Sequence, residues 1–197
     1  MKKGKKRMKC FFIYLSVFLL AFIGSAVIKL THKPSWSKTL EVKWDDSVGK
    51  CYTDITYGEK AKNTFDLYLP KDQSKTNYSL VVYLHAGGFT SGDKADDKKM
   101  LQWLAAKGYV AAGINYTLRD ENNPGANIYT QSLEIKNSMP KVIEKAKKLG
   151  YPIQQMAISG TSAGHTLAML YAYRDAATSP VPVKMVFGAV GPSSFYP

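Results

Sequence analysis

Gly160-Thr161-Ser162-Ala163-Gly164 is the stretch that decides the fold. It follows the short apolar run Met156-Ala157-Ile158 and opens an apolar-periodic segment over residues 163–173. A Gly-x-Ser-x-Gly turn between a strand and a helix is so tight that only glycine fits two residues to either side of the serine. The serine is left in a strained backbone with its hydroxyl exposed, and such strain is useful where the serine attacks a substrate. By themselves the five residues also fit a Gly/Ser-rich turn; their surroundings separate the two readings.

Outward from this turn, strands and helices alternate. Phe65-Asp66-Leu67-Tyr68-Leu69-Pro70 alternates apolar and polar residues as a half-buried strand does. Leu80-Val81-Val82-Tyr83-Leu84 is a continuous apolar run, expected of a strand covered on both faces. Asp96 and Asp97 are placed to cap a helix carrying Met100, Leu101, Leu104 and Ala105, closed by Gly108. Residues 109–116 read as another buried strand. Ile135, Met139, Val142, Ile143, Ala146 and Leu149 then step at helical spacing up to Gly150, with Pro140 marking either a kink or a later start. Residues 156–159 form the strand before the turn, 163–174 the helix after it, and 183–190 a last buried strand. The expected fold is α/β: a doubly wound, mainly parallel sheet.

The chain has 197 residues, enough for one domain with a real core. Its 27 Lys and Arg outweigh 15 Asp and Glu, for a net charge of +12. Lys2, Lys3, Lys5, Lys6, Arg7 and Lys9 precede an uncharged run over 10–28, and no acid occurs before Glu41. This pattern is a signal peptide or signal anchor over 1–30, followed by a polar stem over 31–48 that contains Pro and Trp. The cations would stay in the cytoplasm and the rest would be exported or membrane-anchored outside it. The membrane contact runs through residues 10–28 if Gly24-Ser25-Ala26 is not cleaved. An apolar segment directly behind the basic cluster argues against a nucleic-acid patch.

Cys10 precedes the apolar run instead of following it, so lipoprotein attachment is not expected. Cys51 is then alone, so no internal disulfide is available, and it is expected to be a small buried or half-buried residue. No Cys or His pair has metal-ligand spacing, so no metal and no cofactor are expected. Oligomeric state is left open.

A second motif, His85-Ala86-Gly87-Gly88-Phe89, directly follows the run 80–84, roughly 75 residues before the serine turn. Consecutive glycines let a loop aim its backbone N–H groups at an oxygen that becomes negative in a tetrahedral intermediate. With Ser91-Gly92-Asp93-Lys94, Gly108-Tyr109-Val110 and Asn115-Tyr116-Thr117-Leu118-Arg119, the chain over about 62–195 resembles the α/β-hydrolase superfamily. Within it the resemblance is to carboxylesterases with an HGG-type oxyanion loop, hormone-sensitive-lipase-like or feruloyl/acetyl-xylan-esterase-like. It implies that residues 49–197 are the N-terminal part of such a domain, incomplete at the C-terminus. Two departures are Ala86, where glycine is usual, and Thr117, where an arginine is usual.

The resemblance implies Ser162 as nucleophile, with the N–H groups of Gly87, Gly88 and Ala163 forming the oxyanion hole. It implies His85 as a support of that loop, Asp93 and Lys94 as loop fasteners, and a small ester as substrate. A serine nucleophile also needs a base and an acid to orient it, which the family supplies in the order Ser, Asp or Glu, His. After Ser162 the chain offers only His165, on the first turn of the helix, and Asp175, at that helix's far end. Neither is placed to serve, and His32 belongs to the stem.

The expectation is therefore a short-acyl carboxylesterase by family that is inactive or very weak as these 197 residues. The chain would be a fragment, a non-catalytic membrane-tethered binding protein, or a half completed by a second chain. An exported peptidase or lipase on the same fold is the further alternative. A sheet ending in an unpaired edge strand should also make this piece marginally stable or prone to aggregate.

Overall fold

The computed structural model describes residues 2–32 and 41–192, with side chains from Met8 onward. It divides into two units, residues 1–40 and 41–197. The first holds helix α1 (Lys2–Thr31). Its stretch Met8–Thr31 is 24 residues long and holds an 18-residue window of mean hydropathy 2.5, long and apolar enough to cross a membrane. Residues 33–40, most of the expected stem, lie outside the described residues. Residues 41–48 go with the second unit, where the Trp44 ring meets Tyr68 edge-on at 5.8 Å.

The second unit is one six-stranded sheet with helices on both faces. In chain order it comprises β1 (Gly49–Thr56), β2 (Thr64–Pro70), β3 (Tyr78–Leu84), α2 (Lys98–Ala106), β4 (Val110–Ile114), α3 (Ile128–Lys148), β5 (Ile153–Thr161), α4 (Ala163–Leu170) and β6 (Val183–Ala189). Strand order across the sheet is β1-β2-β4-β3-β5-β6. β4, β3, β5 and β6 run parallel, while β1 and β2 form an antiparallel margin.

Period-2 geometry divides β3 between two cores. Leu80, Val82 and Leu84 face α3 and α4, packing with Ile135, Met139, Val142 and Leu167. Val81 and Tyr83 face α2 and meet Leu101, Leu104 and Ala105. A strand covered on both sides has no use for polar residues, which is why 80–84 reads as one apolar run.

Several local expectations are revised. The turn before α2 is capped by Asp93, not by Asp96 or Asp97. Asp93 accepts from Ala95 N across a 3-10 turn (Lys94–Asp97), and the Asp96 carboxylate accepts in return from Asp93 N. Asp97 sits at the N-cap of α2 but makes no capping bond there. α3 starts earlier than the pattern suggested, at a capping box between Asn127 and Thr130, and runs through Pro140.

The helix after the serine is α-helical only to Leu170 and continues as a π-helical turn, Tyr171–Asp175. β6, expected to be buried, is largely exposed: its face toward the α2 side, with Met185 and Phe187, has no helix over it among the described residues. Cys51 is exposed instead of buried, because β1 is the outermost strand and Cys51 lies on its solvent side.

Candidate active site

The chain leaves β3, passes through α2 to β4 on one side, then crosses through α3 to β5 on the other. The loops after β3 and β5 therefore open side by side at the carboxyl ends of adjacent parallel strands, where open α/β sheets form their crevices. Leu84 is in register with Gly160, so His85 to Gly88 emerge next to the serine turn.

Ser162 has φ 52° and ψ −117°, a left-handed conformation that ordinary residues avoid. It persists because its neighbours are pinned. A Cβ on Gly160 would lie 2.6 Å from Gly164 O, and one on Gly164 would collide with Leu84 O and stand 2.7 Å from His85 O. The amide of Ser162 donates to Ala189 O at 2.9 Å, tying the turn to the end of β6. The serine hydroxyl makes no hydrogen bond to any described residue.

Gly87 (φ 129°), Gly88 (φ 60°) and Phe89 (φ 70°) carry the other loop through backbone space that favours glycine. The carbonyl of Gly87 accepts from Ser91 N at 2.9 Å, Ser91 Oγ at 2.9 Å and Thr90 N at 3.1 Å. The N–H groups of Gly87 and Gly88 meet no acceptor among the described residues, and that of Ala163 lies in the unpaired first turn of α4. Two elements thus bring unspent main-chain donors to the serine end of the sheet.

His85 is 1% exposed and stacks on Tyr116 with centroids 4.4 Å apart and planes 7° from parallel. Its Nδ1 lies 2.7 Å from Ala86 O, and Tyr116 Oη donates to His85 O at 3.0 Å. Burial pushes the His85 pKa down, outweighing the bond to Ala86 and the nearby Asp93. A neutral ring of this kind holds its proton on Nδ1 toward Ala86 and ties the loop locally. Gly92 (φ 98°) leaves room for it, since a Cβ there would stand 2.6 Å from His85 Nδ1.

Downstream, Asn115 accepts from Lys94 N at 2.7 Å and donates to Asp93 Oδ2 at 2.7 Å, joining the end of β4 to the loop. Asp93 is held at about 2: burial opposes this, but bonds from Ala95 N, Asn115 and Lys62 and the charge of Lys94 outweigh it. Lys94 is buried, with its ammonium 2.7 Å from Asp54 and 3.1 Å from the buried Asp66. At the departure Thr117, the backbone N–H donates to Glu134 at 2.7 Å, and Lys60 supplies that carboxylate's cation at 2.7 Å.

Gln131, which no sequence pattern singled out, donates to Phe89 O and Thr117 O, both at 2.9 Å. Nothing in its spacing on α3 marks it, because both acceptors are carbonyls that any residue carries.

The other histidine of this unit is His165. His165 packs against β6 and the segment after it, where a Cβ on Gly188 or Gly191 would stand 2.8 Å or 2.5 Å from it, and its buried Nδ1 has no partner among the described residues. His32 lies in the first unit. Asp175 is buried at the far end of the helix, bound to Arg174 at 2.5 Å and Lys136 at 3.2 Å. Among the described residues no group of three His, Cys, Asp or Glu could hold a metal.

Residues 65–190 match the family model BD-FAE. A probable isoprenylcysteine alpha-carbonyl methylesterase of Oryza sativa subsp. japonica is 28% identical over 58% of this chain and 26% of its own length. An ethyl acetate hydrolase of Pseudomonas putida is 27% identical over 64% of this chain and 40% of its own. The solved structure of esterase B from Lactobacillus rhamnosis superposes with a TM-score of 0.63 at 21% identity, covering 90% of this chain and 58% of that one. The chain thus spans from about a quarter to under three fifths of the length of these proteins. With the family match covering most of the sheet and both glycine loops, the chain belongs to the BD-FAE family, among the α/β-hydrolase carboxylesterases.

Proposed function

We propose that this is a serine carboxylic-ester hydrolase of short-acyl type, with Ser162 as nucleophile. Its Oγ adds to the ester carbonyl carbon, and the oxygen that becomes negative takes hydrogen bonds from the N–H groups of Gly87, Gly88 and Ala163. Collapse expels the alcohol, which leaves with the proton given up by Ser162 Oγ, and water then cleaves the acyl-serine to the free acid and the serine hydroxyl. His85 positions the glycine loop and touches no reacting atom.

The observation that carries this reading is the left-handed Ser162, on a turn in register with the end of β3 from which the glycine loop and its two unaccepted N–H groups emerge. The short-acyl assignment takes support from the ethyl acetate hydrolase among the relatives. The apolar helix behind six cations supports a domain that is exported, or anchored with its bulk outside the cytoplasm.

The 197 residues alone should be inactive or very weak. His85 is buried and neutral against Ala86, His165 leans on Gly188 and Gly191, and Asp175 is spent on cations. A working triad would draw its base and acid from outside residues 1–197. A second reading is a membrane-tethered, non-catalytic binding protein, for which the apolar helix α1 is the support. The two differ in whether the serine reacts at all.

Long exposure of the purified chain to a fluorophosphonate at mildly alkaline pH should modify Ser162 slowly, while p-nitrophenyl acetate turnover stays near the buffer rate. Labelling that persists unchanged in Ser162→Ala would end the esterase reading. Brisk turnover lost in Ser162→Ala would end the claim of inactivity.

A further inference from the structure

The end of the sheet opposite the serine is a basic face. Three connections meet there: residues 71–77 between β2 and β3, the turn from α2 into β4, and the turn from α3 into β5. The first lies between the other two. A Cβ on Gly108 would stand 3.1 Å from Lys75 Nζ, and one on Gly150 would stand 3.9 Å from Gln73 Nε2. Tyr78 N donates to Pro152 O at 2.8 Å and Tyr151 Oη to Pro70 O at 2.7 Å, so the first and third connections are pinned together.

Lys71, Lys75, Lys107, Lys145, Lys147 and Lys148 stand on these connections and on the last turn of α3, against Asp72 and Glu144. Among the described residues only Lys148 of this group forms an ion pair, with Glu144 at 2.6 Å. The Asp72 carboxylate accepts from Ser74 N at 2.9 Å and Ser74 Oγ at 2.6 Å. Helix macrodipoles favour cations at the ends of α2 and α3, which accounts for Lys107 and the three lysines of α3. Lys71 and Lys75, on a strand-to-strand connection, gain nothing from them. At the opposite end, the loops after β3 and β4 carry Asp93, Asp96, Asp97, Asp120 and Glu121, with Arg119 and the buried Lys94 as their cations. The second unit is therefore polarised along its strands, basic at the amino ends and acidic in the loops at the serine end.

The chain enters this unit on the basic side: Lys71 N donates to Val48 O at 2.9 Å, and Gly49 pairs with Pro70. The entering segment is balanced, with Asp45 and Asp46 beside Lys43 and Lys50. Tyr109, 42% exposed on the turn after Lys107, adds an amphipathic ring of the kind that settles among lipid headgroups. We propose that this face docks on an anionic lipid surface, with its lysines among the headgroups and the serine end turned to solvent. A helix able to cross a membrane ends at Thr31, so chain length alone keeps a bilayer within about 35 Å of Glu41. Anionic headgroups favour docking roughly fivefold for each lysine that comes within a Debye length, about 8 Å at physiological salt. Docking requires α1 to stay in the membrane, and no part of it involves the chemistry of Ser162.

Fluorescence quenching tests this on the full chain reconstituted in phosphatidylcholine vesicles that carry a headgroup nitroxide, with or without phosphatidylglycerol. The fluorophore is attached through Thr76→Cys in the basic face or Asn122→Cys at the serine end, each combined with Cys10→Ser and Cys51→Ser. Phosphatidylglycerol should raise quenching at position 76 at least about threefold at physiological salt and leave position 122 unchanged. High salt should abolish the rise. Lys71→Glu combined with Lys75→Glu should remove most of it, with native circular dichroism as the check on folding. If that pair does not fold, Lys107→Gln with Lys147→Gln carries the comparison. Equal quenching at position 76 with and without phosphatidylglycerol, a rise indifferent to salt or to the lysine variants, or a larger rise at position 122 would overturn the proposal. Tighter capture by duplex DNA than by the anionic vesicles would also overturn it, by assigning the face to nucleic acid.

Discussion

A single carboxylate shows how finely this domain depends on pH. Asp97 lies at the head of α2 with Oδ2 buried and unpartnered among the described residues. Burial, and secondarily the charge of Asp96, raises its pKa to about 6. A carboxyl raised on folding favours the folded state while protonated, so its contribution is whole below the unfolded value near 4. It is lost as pH climbs through 6. Asp97→Asn should therefore raise the melting temperature above pH 6 and leave it unchanged near pH 4, as read by thermal denaturation across that range. The reverse pattern, a gain confined to acid, would refute the assignment.

At the same scale, Ser162 and its glycines were legible because steric exclusion leaves glycine alone at those places. The choice of Asp93 over Asp96 and Asp97 as cap was not. Three nearby acids can all precede a helix, and an intervening 3-10 turn selects among them. Gln131 was illegible for a different reason, since a side chain that serves only main-chain carbonyls leaves no pairing signature.

Between elements, Lys94 is a buried tie that joins the loop after the glycine motif to β1 and β2. Lys94→Met would leave the buried Asp66 carboxylate without its cation, at a cost of about 3–5 kcal/mol. Adding Asp66→Leu should recover most of that loss. Urea denaturation of the two variants checks this; a single variant as stable as the parent would show the pair to be idle.

Element by element, the parallel strands and the helices were foreseen, since covered strands and amphipathic helices leave distinct periods. β1 went unseen. Asp54 is left-handed (φ 54°), and the register with β2 shifts between Tyr52 and Ile55, so its alternation is broken midway. β6 misled in the opposite way: an apolar sequence promised burial, but the described residues place nothing on its α2-side face.

For the molecule as a whole, that bare face predicts association through the second unit. Met185 and Phe187 are 58% and 43% exposed on an edge strand, the arrangement from which sheets recruit further chains. Met185→Glu combined with Phe187→Lys should raise the share of monodisperse chain in micelles, judged by light scattering, with little change in melting temperature. Unaltered aggregation would shift the blame to α1. The doubly wound plan was readable because it follows from the order of periods, whereas which faces lie open depends on packing partners that no local pattern names.

The wedging of Gly164 under the end of β3 has a practical corollary. Because the serine turn and the glycine loop leave two adjoining, in-register strands, the sheet itself sets their relative placement. If Ser162 is the proposed nucleophile, a separate polypeptide that delivered an imidazole should switch on hydrolysis, and the chain would then serve as half of a split reporter whose signal registers assembly.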